Sequence, residues 1–250
     1  MAGRTFAVGD VHGDLVHLDL LLSRLPLLDA RDTVVFLGDY VDRGPDSARV
    51  VERIRRLPER IAAKVVAIRG NHEDAWLRVV DRGWPEFVLR PGNGCFEAFR
   101  SFIGGEMPGE DDLPSPDELR AIANGSFLPD EVVDWFKTLP YWYEDEHALY
   151  VHAGLPKKNG RWQHPSEVED PLVLLWQRDL DFVENYRGKR VVFGHTATIC
   201  LPAELSGHTP GDPTDLWAGV DVLGVDTRCG KGGFLTAVEF PALVVYESRN

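Results

Sequence analysis

Five short β-branched or aromatic runs in this chain each end in an Asp, Asn or His beside a glycine, and that pattern constrains the fold more than any other feature. Thr33–Leu37 runs into Gly38-Asp39-Tyr40-Val41-Asp42-Arg43-Gly44, which crowds three ionisable side chains into a glycine-bounded turn. Phe6-Ala7-Val8 leads into Gly9-Asp10-Val11-His12-Gly13, and Val65–Ile68 leads through Arg69 into Gly70-Asn71-His72-Glu73. Leu149–Val151 delivers His152-Ala153-Gly154, and Val191–Phe193 delivers Gly194-His195-Thr196. A short apolar run closed by turn residues reads as a buried strand. Ligands of an open α/β sheet bind beyond the carboxyl ends of its strands, so five such ends can converge on one crevice.

The intervening segments carry helical patterns. Leu15, Leu18, Leu21, Leu22 and Leu25 recur at helical spacing before Pro26. Pro45 and Asp46 open a second helix with Val50, Val51, Ile54 and Leu57 on its apolar face. A third helix starts near Glu73 and carries Trp76, Leu77 and Val80. The order β-α-β-α-β with right-handed crossovers predicts three parallel strands. From Gly83 to Tyr143 the pattern loosens, with helices predicted over Cys95–Ile103 and Asp130–Leu139 and an acidic loop over Gly104–Pro116. We read 1–250 as one domain with a helical insertion at about 83–143 covering one side of the crevice.

Strands resume at Ala148–Val151, Arg190–Phe193, Gly219–Val225, Phe234–Phe240 and Leu243–Glu247, with a short helix around Pro171–Gln177 and a loop over Pro202–Pro213. The last two strands are joined so tightly that they must pair antiparallel. The expected fold class is α/β: two mixed sheets face to face with helices outside, a four-layer α/β/β/α sandwich.

At 250 residues and 44% apolar content the chain can bury a substantial core. No apolar run is long enough for a membrane span and no leader pattern opens the sequence, so a cytoplasmic protein with no membrane partner is expected. A net charge of −13 argues against a nucleic-acid partner. Cys95, Cys200 and Cys229 are odd in number and scattered, which suggests neither disulfides nor a thiolate metal site.

The strand ends gather Asp10, His12, Asp39, Asn71, His152 and His195. Imidazole with carboxylate and amide oxygen suits manganese, iron or zinc better than calcium. Six donors exceed what one tetrahedral zinc takes, so two divalent ions sharing a carboxylate are expected, with Asp39 as the bridge on the central strand. Such a pair holds a water and lowers its pKa from about 15.7 towards about 7, and it clamps a phosphoryl oxygen for in-line displacement. Arg43 suits bidentate contact with the remaining phosphate oxygens. His72, adjacent to a ligand but pointing elsewhere, is the candidate general acid, with Asp42 orienting its ring and raising its pKa. His17, His147, His164 and His208 lack the strand-glycine context and are read as ordinary polar residues.

Gly9–Gly13, Gly38–Gly44, Gly70–Glu73, His152 and His195, in this order from Phe6 to about Phe240, resemble the calcineurin-like metallophosphoesterases. Within them the chain is similar to the phosphoprotein phosphatases, especially compact bacterial and phage members acting on phosphoserine and phosphothreonine, with phosphotyrosine open. The resemblance implies the four-layer sandwich, a dinuclear centre with manganese first in order, and phosphomonoester hydrolysis. It assigns Asp10, His12 and Asp39 to one metal, and Asp39, Asn71, His152 and His195 to the other. It makes Asp42 and His72 the acid pair and Arg43 a phosphate clamp. Leu174–Arg178 resembles the segment that supplies a second clamp, Arg178, so that Arg43, Arg178, Asn71 and His72 face the substrate.

Relatives that split symmetrical diadenosine tetraphosphate usually alter the histidine and second aspartate of the first two motifs. Retention of His12 and Asp42 favours a phosphoprotein substrate, with dinucleoside polyphosphates or other small phosphate esters as the alternative. The aromatic substrate loop of eukaryotic members is missing from the neighbourhood of Asp226–Gly230, where Arg228 and the following Lys231 read either as contacts to a phosphorylated substrate or, by preference, as solvated charges. A catalytically silent phosphoprotein scaffold is disfavoured because His72, Arg43 and every ligand are present. A P-loop at Gly224–Lys231 fails on spacing and on Gly232, and a cysteine phosphatase at Cys95–Arg100 fails on spacing.

Overall fold

In the computed structural model, which describes residues 3–109, 111–207, 212 and 214–249, alternate residues of single strands feed different cores. Val34 and Phe36 point one way into a core shared with the outer helices, whereas Val35 and Leu37 point into a core between two sheets. Tyr150 and Val192 enter that same inter-sheet core, while Leu149, Val151, Val191 and Phe193 face a third core on the far side. A strand buried on both faces reads as an unbroken apolar run, which is why these segments stood out in the sequence. The layers are helices, sheet, sheet, helices, as expected.

The elements are β1 (Thr5–Val8), α1 (Leu15–Arg24), β2 (Thr33–Phe36), α2 (Ser47–Arg55), β3 (Lys64–Ala67) and α3 (Asn71–Arg82), then α4 (Pro85–Val88), α5 (Cys95–Ile103), α6 (Pro116–Asn124) and α7 (Asp130–Thr138). There follow β4 (Trp142–Glu144), β5 (Leu149–Val151), β6 (Lys157–Lys158), β7 (Arg161–Trp162), α8 (Val173–Trp176), α9 (Leu180–Asn185) and β8 (Val191–Phe193). The chain ends with β9 (Trp217–Ala218), β10 (Val222–Gly224), β11 (Thr236–Phe240) and β12 (Val244–Glu247). The first sheet has the order β12-β11-β1-β2-β3 and the second β4-β5-β8-β10-β9. β1, β2 and β3 are parallel, and β11 returns antiparallel beside β1 with β12 antiparallel to it. β5, β8 and β10 are parallel in the second sheet. The carboxyl ends of both parallel sets face one crevice.

Several boundaries differ from the sequence expectation. α3 begins at Asn71, with Gly70 capping it, because the Glu73 side chain accepts the Gly70 N–H at 2.9 Å and starts the helix two residues early. Its buried face uses Trp76 and Val79, whereas Val80 is 40% exposed. Leu57 is buried one turn beyond α2 rather than within it. The strand expected over Gly219–Val225 is confined to β10 at Val222–Gly224, which pairs back antiparallel on β9 at Trp217–Ala218. His208 and most of the stretch after Ser206 up to Pro213 lie outside the described residues. No helix among the described residues is long and apolar enough to cross a membrane.

Candidate functional site

Left-handed backbone marks the crevice. His12, Asp39, Asp42, Arg43 and His195 all take positive φ, between 46° and 72°. Each such residue costs on the order of 1–3 kcal/mol and persists only where packing over-determines it. The packing is visible at Gly38, whose φ is +99° and where an added Cβ would lie 2.5 Å from the Gly70 Cα and N. The turn after β2 and the start of α3 therefore touch backbone to backbone, and only glycines allow it.

Glu73 holds this junction. Its carboxylate accepts the backbone N–H groups of Asp39 at 2.9 Å, Tyr40 at 2.8 Å and Gly70 at 2.9 Å. It is fully buried, and burial with the nearby Asp39 pushes its carboxyl up to about 7. Glu73→Ala would leave three buried donors unpaired, a loss of about 3 kcal/mol or more. For a chain of this size the melting temperature should fall by about 6–12 °C. A Tm within experimental error of the parent would show that the clamp contributes nothing.

Six side chains from five strand ends meet, with Asp39 at their centre. His12 Nδ1 lies 3.1 Å from the Val41 carbonyl and His152 Nδ1 lies 2.7 Å from the Leu37 carbonyl. A carbonyl only accepts, so both Nδ1 atoms carry the hydrogen and both Nε2 atoms present lone pairs. His12 Nε2 faces Asp39 Oδ2 at 3.4 Å, and His152 Nε2 faces Asp39 Oδ1, also at 3.4 Å. Each oxygen of one carboxylate thus confronts a different imidazole, lone pair to lone pair. A cation in each gap would turn both repulsions into coordination, so these residues fit two ions sharing Asp39.

The remaining candidates complete the two sides. Asp10 Oδ2 lies 3.9 Å from His12 Nε2, and the Asp10 carboxylate accepts the His195 N–H at 3.0 Å, joining residues 185 positions apart. Asn71 Oδ1 lies 2.9 Å from His152 Nε2 and 2.7 Å from His195 Nδ1. Sequence reasoning missed Asp226, which is 3% exposed beyond the end of β10 and close enough to help raise the Asp10 and Asp39 carboxyls. It lies in the Asp226–Gly230 stretch that the sequence reading treated only as a missing substrate loop.

Burial dominates the electrostatics. It pushes Asp39 up to about 7 against the pull of Arg43, and it drives Asp10 well above the carboxylate range with help from Asp226 and Asp39. It lowers His152 to about 4 and holds His12 and His195 well below the ordinary imidazole value. At neutral pH the imidazoles are therefore free bases, while Asp39 still holds part of a proton. Metal uptake should release protons near pH 6, where Asp39 is protonated and His152 is not, and apparent affinity should rise as pH climbs through about 7. Titration calorimetry in two buffers of different ionisation enthalpy measures this, and buffer-independent heats would contradict it.

His72 and Asp42 form a buried pair, Nδ1 to Oδ2, at 2.5 Å. Asp42 Oδ1 also accepts the Trp76 indole N–H at 2.9 Å, and its backbone N–H bonds Ser47 Oγ at 2.9 Å. The expected upward shift of His72 is not what the surroundings produce. Burial and then the Arg43 guanidinium lower its pKa, and burial raises Asp42, so both shifts work against a fixed imidazolium–carboxylate pair. Arg43 lies between His12 and His72, with Nη1 against His12 Nε2 and Nη2 3.4 Å from His72 Nε2. Its Nε is buried without a partner among the described residues.

Above these groups opens a cleft of about 560 Å³. Arg43, Arg90, Arg178 and Lys231 line it with the single carboxylate Glu86, and Trp84, Phe87 and Trp176 form its aromatic wall. Arg178 sits exposed at the rim, its Nη1 3.4 Å from Thr196 Oγ1. Lys231, for which the sequence left substrate contact as the less favoured alternative to a plain solvated charge, lines the cleft. Its pKa is lowered by desolvation and by Arg43. Trp84, Phe87 and Arg90 lie in and around α4, after α3, and carried no strand-glycine signal.

The sequence profile of the calcineurin-like phosphoesterases matches residues 3–198. The chain belongs to the calcineurin-like phosphoesterase family. A symmetrical bis(5'-nucleosyl)-tetraphosphatase of Chromohalobacter salexigens is 25% identical to this phosphoesterase, over 94% of each chain. An asymmetrical bis(5'-nucleosyl)-tetraphosphatase of Oceanobacillus iheyensis is 24% identical, over 94% of this chain and 87% of its own. A symmetrical one from Pectobacterium atrosepticum is 30% identical, over 66% of this chain and 47% of its own. Among solved structures, a candidate diadenosine tetraphosphatase superposes with TM-score 0.61 at 23% identity, over 99% of this chain and 93% of its own. A cold-active protein-tyrosine phosphatase of a Shewanella species superposes with TM-score 0.57 at 19% identity, over 95% and 76%. At those identities the superpositions establish a shared fold.

Proposed function

We propose that this phosphoesterase is a dinuclear-metal hydrolase whose preferred substrates are dinucleoside polyphosphates. The carrying observation is the cleft, where four cations and an aromatic wall sit above the donor cluster in a chain of net charge −13. A linear polyphosphate supplies the charge that such a cleft attracts, and a nucleobase supplies the flat apolar face. Matches to bis(5'-nucleosyl)-tetraphosphatases along nearly the whole chain support the same reading. They move the balance away from the phosphoprotein substrate favoured by retention of His12 and Asp42.

Asp10, His12 and Asp39 would hold one divalent ion, and Asp39, Asn71, His152 and His195 the other, with manganese, iron or zinc all compatible with the donors. Two ions so held would supply hydroxide at neutral pH and neutralise charge developing on phosphorus. Arg43 would bind the non-bridging oxygens through the guanidinium edge near His72. Arg178 and Lys231 would hold the phosphates further along the chain. Asp42 keeps Nδ1 of His72 engaged, so that Nε2 can deliver a proton to the departing oxygen.

The Asp42–His72 pair also favours a second reading. An alkoxide leaving from phosphoserine needs a proton, whereas a nucleoside diphosphate, with a second phosphate pKa of about 6, does not. The test is a rate comparison with manganese on diadenosine tetraphosphate and on phosphoserine, phosphothreonine and phosphotyrosine peptides. Faster turnover of the dinucleotide is expected. Turnover of peptides alone would overturn the proposal in favour of a protein phosphatase, and silence on all four with metal bound would favour a scaffold.

A further inference from the structure

A second concavity of about 590 Å³ lies beside the catalytic cleft, and the two share Arg90, Pro91 and Gly92 as a common wall. That wall is a rigid turn. Pro91 fixes one central dihedral, and Gly92 takes φ of +79°, the value a type II turn needs after proline. The Asn93 N–H bonds the Arg90 carbonyl at 3.2 Å, and Asn93 Nδ2 bonds the Phe87 carbonyl at 2.9 Å. One residue on, an added Cβ at Gly94 would lie 1.9 Å from the Arg43 backbone nitrogen. The base of the turn is thus seated on the catalytic loop, which fixes the wall between the two concavities relative to Arg43.

The two concavities differ in chemistry. The cleft gathers the cations, while the outer groove is lined by Leu89, Phe96, Leu113, Leu119 and Ile122, with the carboxylates of Glu97 and Asp112 also at its wall. Leu89 is 61% and Leu113 86% exposed, apolar surface that folding leaves uncovered. Arg90 stands exposed between the two. A molecule spanning both would be anionic in its middle and apolar and planar at its end.

We propose that this groove binds the far nucleoside of a dinucleoside polyphosphate, with the phosphate chain crossing the Arg90–Asn93 turn. The inference rests on the dinucleoside polyphosphate reading and adds the residues that recognise the half of the substrate remote from the metals. It makes the insertion a specificity element: a mononucleotide fills the cleft alone, and a dinucleotide fills both concavities.

The experiment substitutes Leu89→Asp and Leu113→Asp, singly and together, on exposed positions, with Leu113→Asn as a milder companion. Steady-state rates are measured with manganese on diadenosine tetraphosphate and on adenosine 5'-tetraphosphate, which has no second nucleoside. For the double variant, kcat/KM on the dinucleotide should fall about tenfold or more, mainly through KM, while the mononucleotide is unaffected. Equal losses on both substrates, or no loss on either, would overturn the proposal while leaving wild-type dinucleotide hydrolysis intact. A parent enzyme inactive on diadenosine tetraphosphate but active on phosphopeptides would overturn the underlying reading as well.

Discussion

Asp39→Asn is expected to abolish hydrolysis, with kcat/KM down by ~10³ or more, and to reduce bound metal from two ions per chain to at most one. The substitution removes the charge but little else. Asparagine matches the shape and tolerates the left-handed conformation that Asp39 adopts at φ 54°. Its single amide oxygen can face His12 or His152 but not both, and the NH₂ on the other side would donate to an imidazole lone pair. A stability effect of opposite sign should accompany the loss. The Asp39 carboxyl is raised to about 7 in the folded chain, above its unfolded value near 4, so the folded state holds the extra proton between those pH values. Stability of the metal-free protein therefore falls as pH rises through that window, and the deficit persists above it. The neutral amide escapes it, so metal-free Asp39→Asn should melt higher than the metal-free parent at pH 8. Residual activity at a tenth of the parent, or two retained ions, would remove Asp39 from the bridging role.

His72→Asn should split substrates by leaving group. On a phosphoserine peptide, kcat should fall by ~10²–10⁴, the span of a lost general acid. On diadenosine tetraphosphate the loss should be much smaller, because the departing nucleoside diphosphate is stable as an anion at neutral pH. Metal content should hold, since His72 points its Nδ1 at Asp42 and is not among the six assigned donors. The variant keeps the helix start, where the His72 backbone N–H bonds Asp39 Oδ1 at 3.0 Å whatever the side chain. An equal loss on both substrates would show that His72 positions phosphate rather than moving a proton.

The strand ends were legible because two unrelated demands coincide there. A strand buried on both faces must be apolar, and a ligand-bearing turn must be glycine-flanked, so Asp10, Asp39, Asn71, His152 and His195 stand at sharp changes of composition. The convergence of Asp10 with His195 follows from parallel strands in two facing sheets. What stayed hidden is set by tertiary approach. Glu73 looks like an ordinary first-turn acid until the Gly38 turn is known to lie over it, supplying two of its three N–H donors. Periodicity could not separate Val79 from Val80, because they stand three and four residues after Trp76 on the same face and only the packing neighbours decide which is covered. Lys231 and Arg90 have polar neighbours in sequence, and only the fold turns them towards one cleft. The proton balance of His72 was likewise invisible, since burial and Arg43 outweigh the single partner the sequence suggested.

The geometry of the metal pair is the claim on which hydrolysis depends, and anomalous diffraction at the manganese edge from crystals grown with manganese measures it directly. Two peaks about 3.5–4 Å apart are predicted, one on the His12 side of Asp39 and one on the His152 side, with an Asp39 oxygen reaching each. A single peak, or two peaks that do not have Asp39 between them, would contradict the account.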